Sequence, residues 1–426
     1  MSARRPRCDN FSGVSDGAGT PPKSAWGRSS SVAPATCGGP GQSVALPRIA
    51  GASPLVIGHR RSPKNLPHPL QRILMICTNY RQNVLKTIRF EYPAYIPMTF
   101  HINSACWSHY DQTILQDLME EHPFLFPDFK RQPEVHPLYG VHQRRNTPYL
   151  DPWGCLWRTM EDGITGSVHT HPLADWSDLA RYTPPDPNVT DGLNSIDWPA
   201  LRTSVQRQKL EGRLVSAGLP HGHTFLRLQD IRGYENLLLD MIDGEPRLSK
   251  LIQMVENFNY QYVMRWMELE PDLMNYPEDL GMQVGPMLSP AYFRRYIKPV
   301  YQRIMKPARE RGCIVHMHSD GDIRTLVDDL VEGGVDVINL QDLVNGMDWI
   351  AEKLKGRVCI ELDIDRQRIT ARGTPRDIED LIRQEIKTLG GQRGGLMMVY
   401  GLYPGVPLDN VKALMDAMEK YATYYA

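Results

Sequence analysis

The chain has 426 residues, 41% hydrophobic and 23% charged, with a formal net charge of −1, the make-up of an ordinary globular protein with room for one large or two medium cores. Ten of the 48 Lys/Arg and two of the 49 Asp/Glu fall within residues 1–72, so the remainder is acidic, which argues against a nucleic-acid-binding body. No run of 18 apolar residues occurs, which argues against a membrane-spanning helix, and seven scattered cysteines without a CxxC pair point away from a disulfide framework and toward a reducing cytoplasm.

Residues 1–74 are basic and rich in Gly, Pro and Ser, as in GGPGQSVALPRIAGASP, with neither helical nor strand period; they are expected to be a disordered extension, with translation expected to start at Met75. Residues 75–426 are expected to form one domain. YIPMTFHIN (95–103) reads as its first strand, ending in His101 and Asn103, which would face a substrate. Residues 107–220 are dense in Pro and aromatic residues and poor in period, so they read as an insertion. DLMNYPEDLG (272–281) reads as a strand closing on Glu278 and Asp279.

From Gly312 onward one pattern repeats. Strand-like runs CIVHMH (313–318), VDVINL (335–340), RVCIEL (357–362) and GLMMVY (395–400) alternate with helical stretches near 323–332, 346–355, 375–389 and 407–422. Such alternation implies parallel strands with crossover helices, and no glycine-rich phosphate turn supports a doubly wound sheet. The expected fold is an α/β (β/α)8 TIM barrel with an insertion in its N-terminal half, whose active site lies at the C-terminal ends of the strands.

Those ends are polar. His316 and His318 share one face of their strand, a spacing that suits a metal pair, or else two imidazoles hydrogen-bonded to Asp320 and Asp322. Asp320 is a candidate general acid, and Asp322 a cap for the helix predicted over 323–332. Asn339, Gln341 and Asp342 follow the next strand as candidate substrate contacts. Glu361, Asp363 and Asp365 share a face, which requires a cation or Arg366 and Arg368 nearby; Asp363 is the expected third ligand beside His316 and His318, and Arg366 a candidate substrate anchor. Amidohydrolases also use His-x-His in a barrel, but on the first strand.

The succession EDLGMQVGPMLSPAYFRRYIKPVY, VHMHSDGDI, GVDVINLQD, GTPRDIEDLI and YGLYPGVPLDNVKAL, together with DPWGCLW (151–157) and the HPL and PPD pair (171–173, 184–186), resembles the uroporphyrinogen decarboxylase superfamily over roughly residues 78–424. The resemblance implies a (β/α)8 barrel and an enzyme, either a decarboxylase or a corrinoid or coenzyme M methyltransferase. Glu278 and Asp279 match the family's acidic pair and are catalytic and substrate-binding candidates respectively. In the decarboxylases an Arg-rich stretch near the start holds substrate carboxylates, whereas Phe90 to Phe129 contain no Lys or Arg here. In the methyltransferases a His-x-Cys pair and a distant Cys hold zinc; His316 and His318 fall on the first pair, and Tyr400 falls on the last position as a catalytic or ligating candidate.

Three functions are thereby expected in different measure. The leading one is metal-dependent methyl transfer between a corrinoid protein and a thiol or similar acceptor, with zinc or another divalent ion. The second is a metal-independent lyase decarboxylating a carboxylate, possibly related to porphyrins, with Asp320 or Glu278 as general acid. The third is a barrel that binds a corrinoid or small molecule without chemistry. A homodimer is compatible with all three.

Overall fold

The computed structural model describes residues 79–425. The extension expected over residues 1–74 and the start of the expected domain at residue 75 lie outside them. Every described residue belongs to one compact unit.

Seven parallel strands form the main sheet: β1 (Met98–Ile102), β5 (Ser216–Gly218), β6 (Leu273–Pro277), β7 (Ile314–Ser319), β8 (Val337–Gln341), β9 (Cys359–Asp363) and β10 (Leu396–Leu402). A small antiparallel sheet interposes β2 (Tyr149–Leu150), β3 (Leu156–Arg158) and β4 (Ser167–Thr170). The order in the main sheet is β1-β10-β9-β8-β7-β6-β5. The first strand therefore pairs with the last, Thr99 beside Val399 and His101 beside Gly401, the wrap-around connection of a (β/α)8 barrel. The expected insertion contains the small sheet, but it also contains β5, a barrel strand. Ser-Ala-Gly carries too little apolar patterning to announce it.

Strand alternation sorts the interior into two populations. Leu273, Ile314, Val337, Cys359 and Met397, near the starts of their strands, close the barrel floor against Val84 and Ile88 of the helix Tyr80–Ile88. Their neighbours Met274, Val315, Ile338, Ile360 and Met398 face the other way and join the larger core beneath the helices. Each such side chain, fully buried, contributes about 1.5–3 kcal/mol, so slipping one strand by a residue is strongly disfavoured. This register aims the inward series of each strand: Asn275, then Asp279 past the end of β6; His316, His318 and Asp320; Asn339 and Gln341; Glu361 and Asp363.

The helix predicted over 323–332 is shorter, Val327–Glu332. Asp322 is accordingly not its cap. Its carboxylate accepts from the Gly285 and Arg324 amides and pairs with the Arg324 guanidinium. Among the described residues no helix is long and apolar enough to cross a membrane.

Candidate functional site

His318 stands at the end of β7, 5% exposed. Its Nδ1 meets Asn339 Oδ1, and the Asn339 amide nitrogen donates to the Glu361 carbonyl at 2.8 Å. That second bond orients the amide so that its oxygen faces the imidazole. Nδ1 is therefore the donor, and in the neutral ring Nε2 carries a bare lone pair. Nε2 is buried without a hydrogen-bond partner. It lies 3.6 Å from Asp279 Oδ1 and 3.8 Å from Asp320 Oδ1. Burial holds the His318 pKa below its ordinary value, which keeps that lone pair.

His221, in the loop after β5, completes a triangle: its Nε2 is 3.3 Å from Asp279 Oδ1, and its ring centre is 5.8 Å from that of His318. Burial alone would lower its pKa, but the Asp279 carboxylate outweighs it and raises the value to about 9. Asp279 is correspondingly held below the usual carboxylate range: burial opposes this, but the two imidazoles and the Asp320 amide prevail. Burial and the neighbouring Asp279 push the Asp320 carboxyl up. Arg366 bridges Asp363 at 2.7 Å and Asp320 at 3.3 Å and lies over the Tyr403 ring. Burial lifts Asp363 to about 8 despite this arginine.

Two crossing loops hold these groups. Gly281 N donates to the Asp320 carbonyl at 3.1 Å, and Asp322 N to the Met282 carbonyl at 2.7 Å. Ser319 Oγ accepts from Leu280 N, and Gln341 Oε1 from Gly321 N. At the crossing, Gly281 and Gly321 touch backbone to backbone: a Cβ on Gly321 would come 2.2 Å from the Gly281 carbonyl carbon. The Ser-Asp-Gly-Asp stretch is thus a turn that only glycine lets the neighbouring loop approach.

Adjacent residues at the end of β6 point opposite ways. Asp279 enters the mouth, while Glu278 turns outward and is fully buried. Its carboxylate accepts from the amides of Thr224, Phe225 and Leu226 and from the Tyr301 hydroxyl. It caps the helix Phe225–Arg232, whose first amides need such an acceptor. Glu278 as a catalytic acid is therefore corrected to a structural cap. The same helix carries Arg227, which bonds Asp151 at 2.9 Å. Asp151 also accepts from the Cys155 amide and the Trp157 indole, so DPWGCLW is a knot tying the small sheet to the helix that follows the His221 loop.

The other expected residues separate into mouth and wall. His316 Nε2 meets Glu361 at 2.7 Å. It lies one strand repeat, roughly 6.6 Å, deeper than His318. Among the described residues, the group of three or more His, Cys, Asp or Glu with converging ligand atoms is His221, Asp279 and His318, all within 4.8 Å. The expected set of His316, His318 and Asp363 does not converge: the depth step separates the two histidines, and Asp363 is engaged by Arg366. His101 is half-buried, its pKa lowered by burial. Asn103 accepts from the Ala105 amide, turning the chain after β1. Gln341 braces the Gly321 turn. Asp342 faces away from the mouth, accepting from the Asp365 amide beside the buried Glu385, so it is no substrate contact.

Tyr400 also faces outward. It is paired in register with Phe100, its ring 5.2 Å from that side chain, and its hydroxyl donates to Thr370 Oγ1 at 3.2 Å. Strand period puts Val399 and Gly401 on the inner face instead. Tyr400→Phe is expected to leave turnover within twofold of wild type and to lower stability by about 1 kcal/mol, read by steady-state rates and urea unfolding. A hundredfold loss of rate would return it to the site.

His221 and His223 escaped the sequence reading. The signal was a second His-x-His, His221-Gly222-His223, directly after the strand-like Leu214–Gly218. Only the first enters the mouth: His223 is held by Thr224 Oγ1 at 2.6 Å, and burial takes its pKa to about 3.

The comparisons with known proteins agree with this architecture. The model of the family described as uroporphyrinogen decarboxylase (URO-D) matches residues 154–421. Human uroporphyrinogen decarboxylase is 22% identical over 277 residues, covering 62% of this chain and 72% of that protein. The Thermus thermophilus enzyme of the same name is 29% identical over 140 residues, 32% of this chain and 38% of that one. Among solved structures, a methyltransferase from Methanosarcina mazei superposes with a TM-score of 0.53 at 16% identity, covering 82% of this chain and 99% of that one; at such identity it speaks for the fold. With its family model spanning well over half the sequence and its seven parallel strands in barrel order, the chain belongs to the uroporphyrinogen decarboxylase family.

Proposed function

We propose that this chain is a methyltransferase of that family, moving a methyl group from a corrinoid carried by a partner protein to a thiol or similar acceptor, with a divalent metal in its mouth. The observation that supports it most is the charge of the mouth. Arg366 is committed to Asp320 and Asp363, while Asp279 and Glu361 add further carboxylates, each held below its ordinary pKa by neighbouring imidazoles against the opposing effect of burial. A tetrapyrrole polycarboxylate would need several cationic partners, whereas Arg366 is already engaged by two carboxylates of the chain itself.

In the transfer, a sulfur electron pair attacks the methyl carbon, the cobalt–carbon bond breaks with its electron pair left on cobalt, and the thiol proton goes to a base. Asp320, held by Arg366 beside the two imidazoles, is assigned in this reading to accept that proton. Arg366 keeps Asp320 oriented, and the Asn339 amide keeps His318 Nε2 facing the reacting side. A divalent ion, when bound, stabilises the thiolate form of the acceptor.

The test is purified protein with methylcobalamin as donor and a small thiol as acceptor, followed by the corrinoid absorbance and by mass detection of the thioether. Turnover that chelator abolishes and zinc restores is expected. Release of CO2 from uroporphyrinogen in the presence of chelator, without demethylation of the corrinoid, would establish the lyase reading instead; corrinoid binding without any turnover would establish a non-catalytic binder.

A further inference from the structure

We propose that His221, Asp279 and His318 form the divalent-cation site of this chain, open on the side of Asp320, and that His316 takes no part in it. The proposal deepens the functional reading above and rests on it only for the reaction the ion would serve. The binding itself is argued from three observations.

Spacing is the first. An ion with bonds of about 2.0–2.2 Å to nitrogen and oxygen sets neighbouring tetrahedral ligands roughly 3.3–3.6 Å apart. His221 Nε2 and His318 Nε2 lie 3.3 and 3.6 Å from Asp279 Oδ1, and all three ligand atoms fall within 4.8 Å of one another, so two of the three edges already have the required length. The second is the tautomer of His318. Asn339 fixes the proton on Nδ1, and the unpartnered, buried Nε2 points toward Asp279 Oδ1, 3.6 Å away. A protein interior rarely keeps such a lone pair without a partner. The third is rigidity. The three ligands sit at the ends of β5, β6 and β7, and their loops are tied by the Glu278 cap and the Gly281–Gly321 crossing.

The donor set decides the class of ion. Two imidazoles and one carboxylate suit zinc and neighbouring first-row ions and do not suit calcium or magnesium, which take oxygen ligands. Three protein ligands with an open position are the pattern of a catalytic site. With no thiolate among them, less negative charge reaches the ion than in a cysteine-rich set, which makes it the stronger Lewis acid. His316 stands outside the set because neither of its ring nitrogens converges with the other ligand atoms; its Nε2 meets Glu361 at 2.7 Å, one strand repeat below.

The experiment loads the full chain with zinc, removes free metal by gel filtration and counts the bound ion by elemental analysis. About one equivalent is expected for wild type and for His316→Ala, and less than a tenth of that for His318→Ala and Asp279→Ala at a matched circular dichroism spectrum. X-ray absorption of the zinc-loaded wild type covers the case in which a variant fails to fold: two imidazoles plus oxygen ligands support the site, and a sulfur ligand or a single imidazole overturns it. Wild type that retains no zinc overturns it as well, and so does loss of zinc in His316→Ala with retention in His221→Ala. None of these readouts uses methyl transfer, so failure of the site and failure of the functional reading are separately visible.

Discussion

Glu278→Ala is expected to lower the stability of the chain by about 4 kcal/mol or more, enough to lower the melting temperature by roughly 8 °C or more. The wild-type carboxylate is fully buried and accepts four hydrogen bonds, from the amides of Thr224, Phe225 and Leu226 and from the Tyr301 hydroxyl, at 2.9–3.1 Å. Alanine leaves all four donors in a dry interior, each at about 1–3 kcal/mol. Part of this is offset because wild type bears the desolvation of the carboxyl, which burial pushes above its ordinary pKa against the pull of those same donors. Net stabilities are about 5–15 kcal/mol, so the remainder is a large fraction of the total. Glu278→Gln keeps the volume and one acceptor oxygen, and about half the loss is expected. Calorimetry on both variants decides the matter. If Glu278 were instead a catalytic acid, Glu278→Gln would melt with wild type and lose only turnover.

How much could be read from the sequence followed how far each segment's pattern reached. β7, β8 and β9 alternate inward polar with outward apolar residues toward their ends, and β10 follows them between well-patterned helices, so the order of the four strands was plain. β5 has three residues and no contrast between its faces, and its pairing with β6, Ser216 beside Leu273, comes from a partner more than fifty residues away. His221 was lost with it, because a histidine in a loop acquires chemistry only from the strand ends beside it. Glu278 and Asp279 show a second limit. Two acids in succession look interchangeable, and the end of β6 alone decides which turns to the helices and which to the mouth. His316 and His318 show a third: a shared face was legible, but not the depth that gives one to Glu361 and the other to Asp279. Tyr400 followed from counting along a family pattern, and strand period, applied to Leu396–Leu402, assigns it to the wall.

Gly321→Ala is expected to lower stability by about 3 kcal/mol or more and, at the proposed cation site, to lower zinc retention, since the same backbone contact supports both. Gly321 has φ +80°, where an L side chain is strained, and its added Cβ would fall 2.2 Å from the carbonyl carbon of Gly281 and 2.4 Å from its oxygen. Strain at such a dihedral alone amounts to about 1–3 kcal/mol. The overlap is with backbone, so it is relieved only by parting the loops. Parting them stretches the bond from Gly281 N to the Asp320 carbonyl and that from Asp322 N to the Met282 carbonyl. It also moves Asp320 and Asp279 away from His318, because the Asp320 amide donates to Asp279 Oδ1 at 3.2 Å. Gly285, in the same loop, has φ +74° but no heavy atom within 4 Å of its would-be Cβ; Gly285→Ala therefore carries the dihedral strain without the collision. The expected order is wild type, Gly285→Ala, Gly321→Ala in melting temperature, with zinc content lost in the last alone. Equal zinc content in the two variants would show that the loop crossing does not position the ligands, and that the mouth is organised from the strands by themselves.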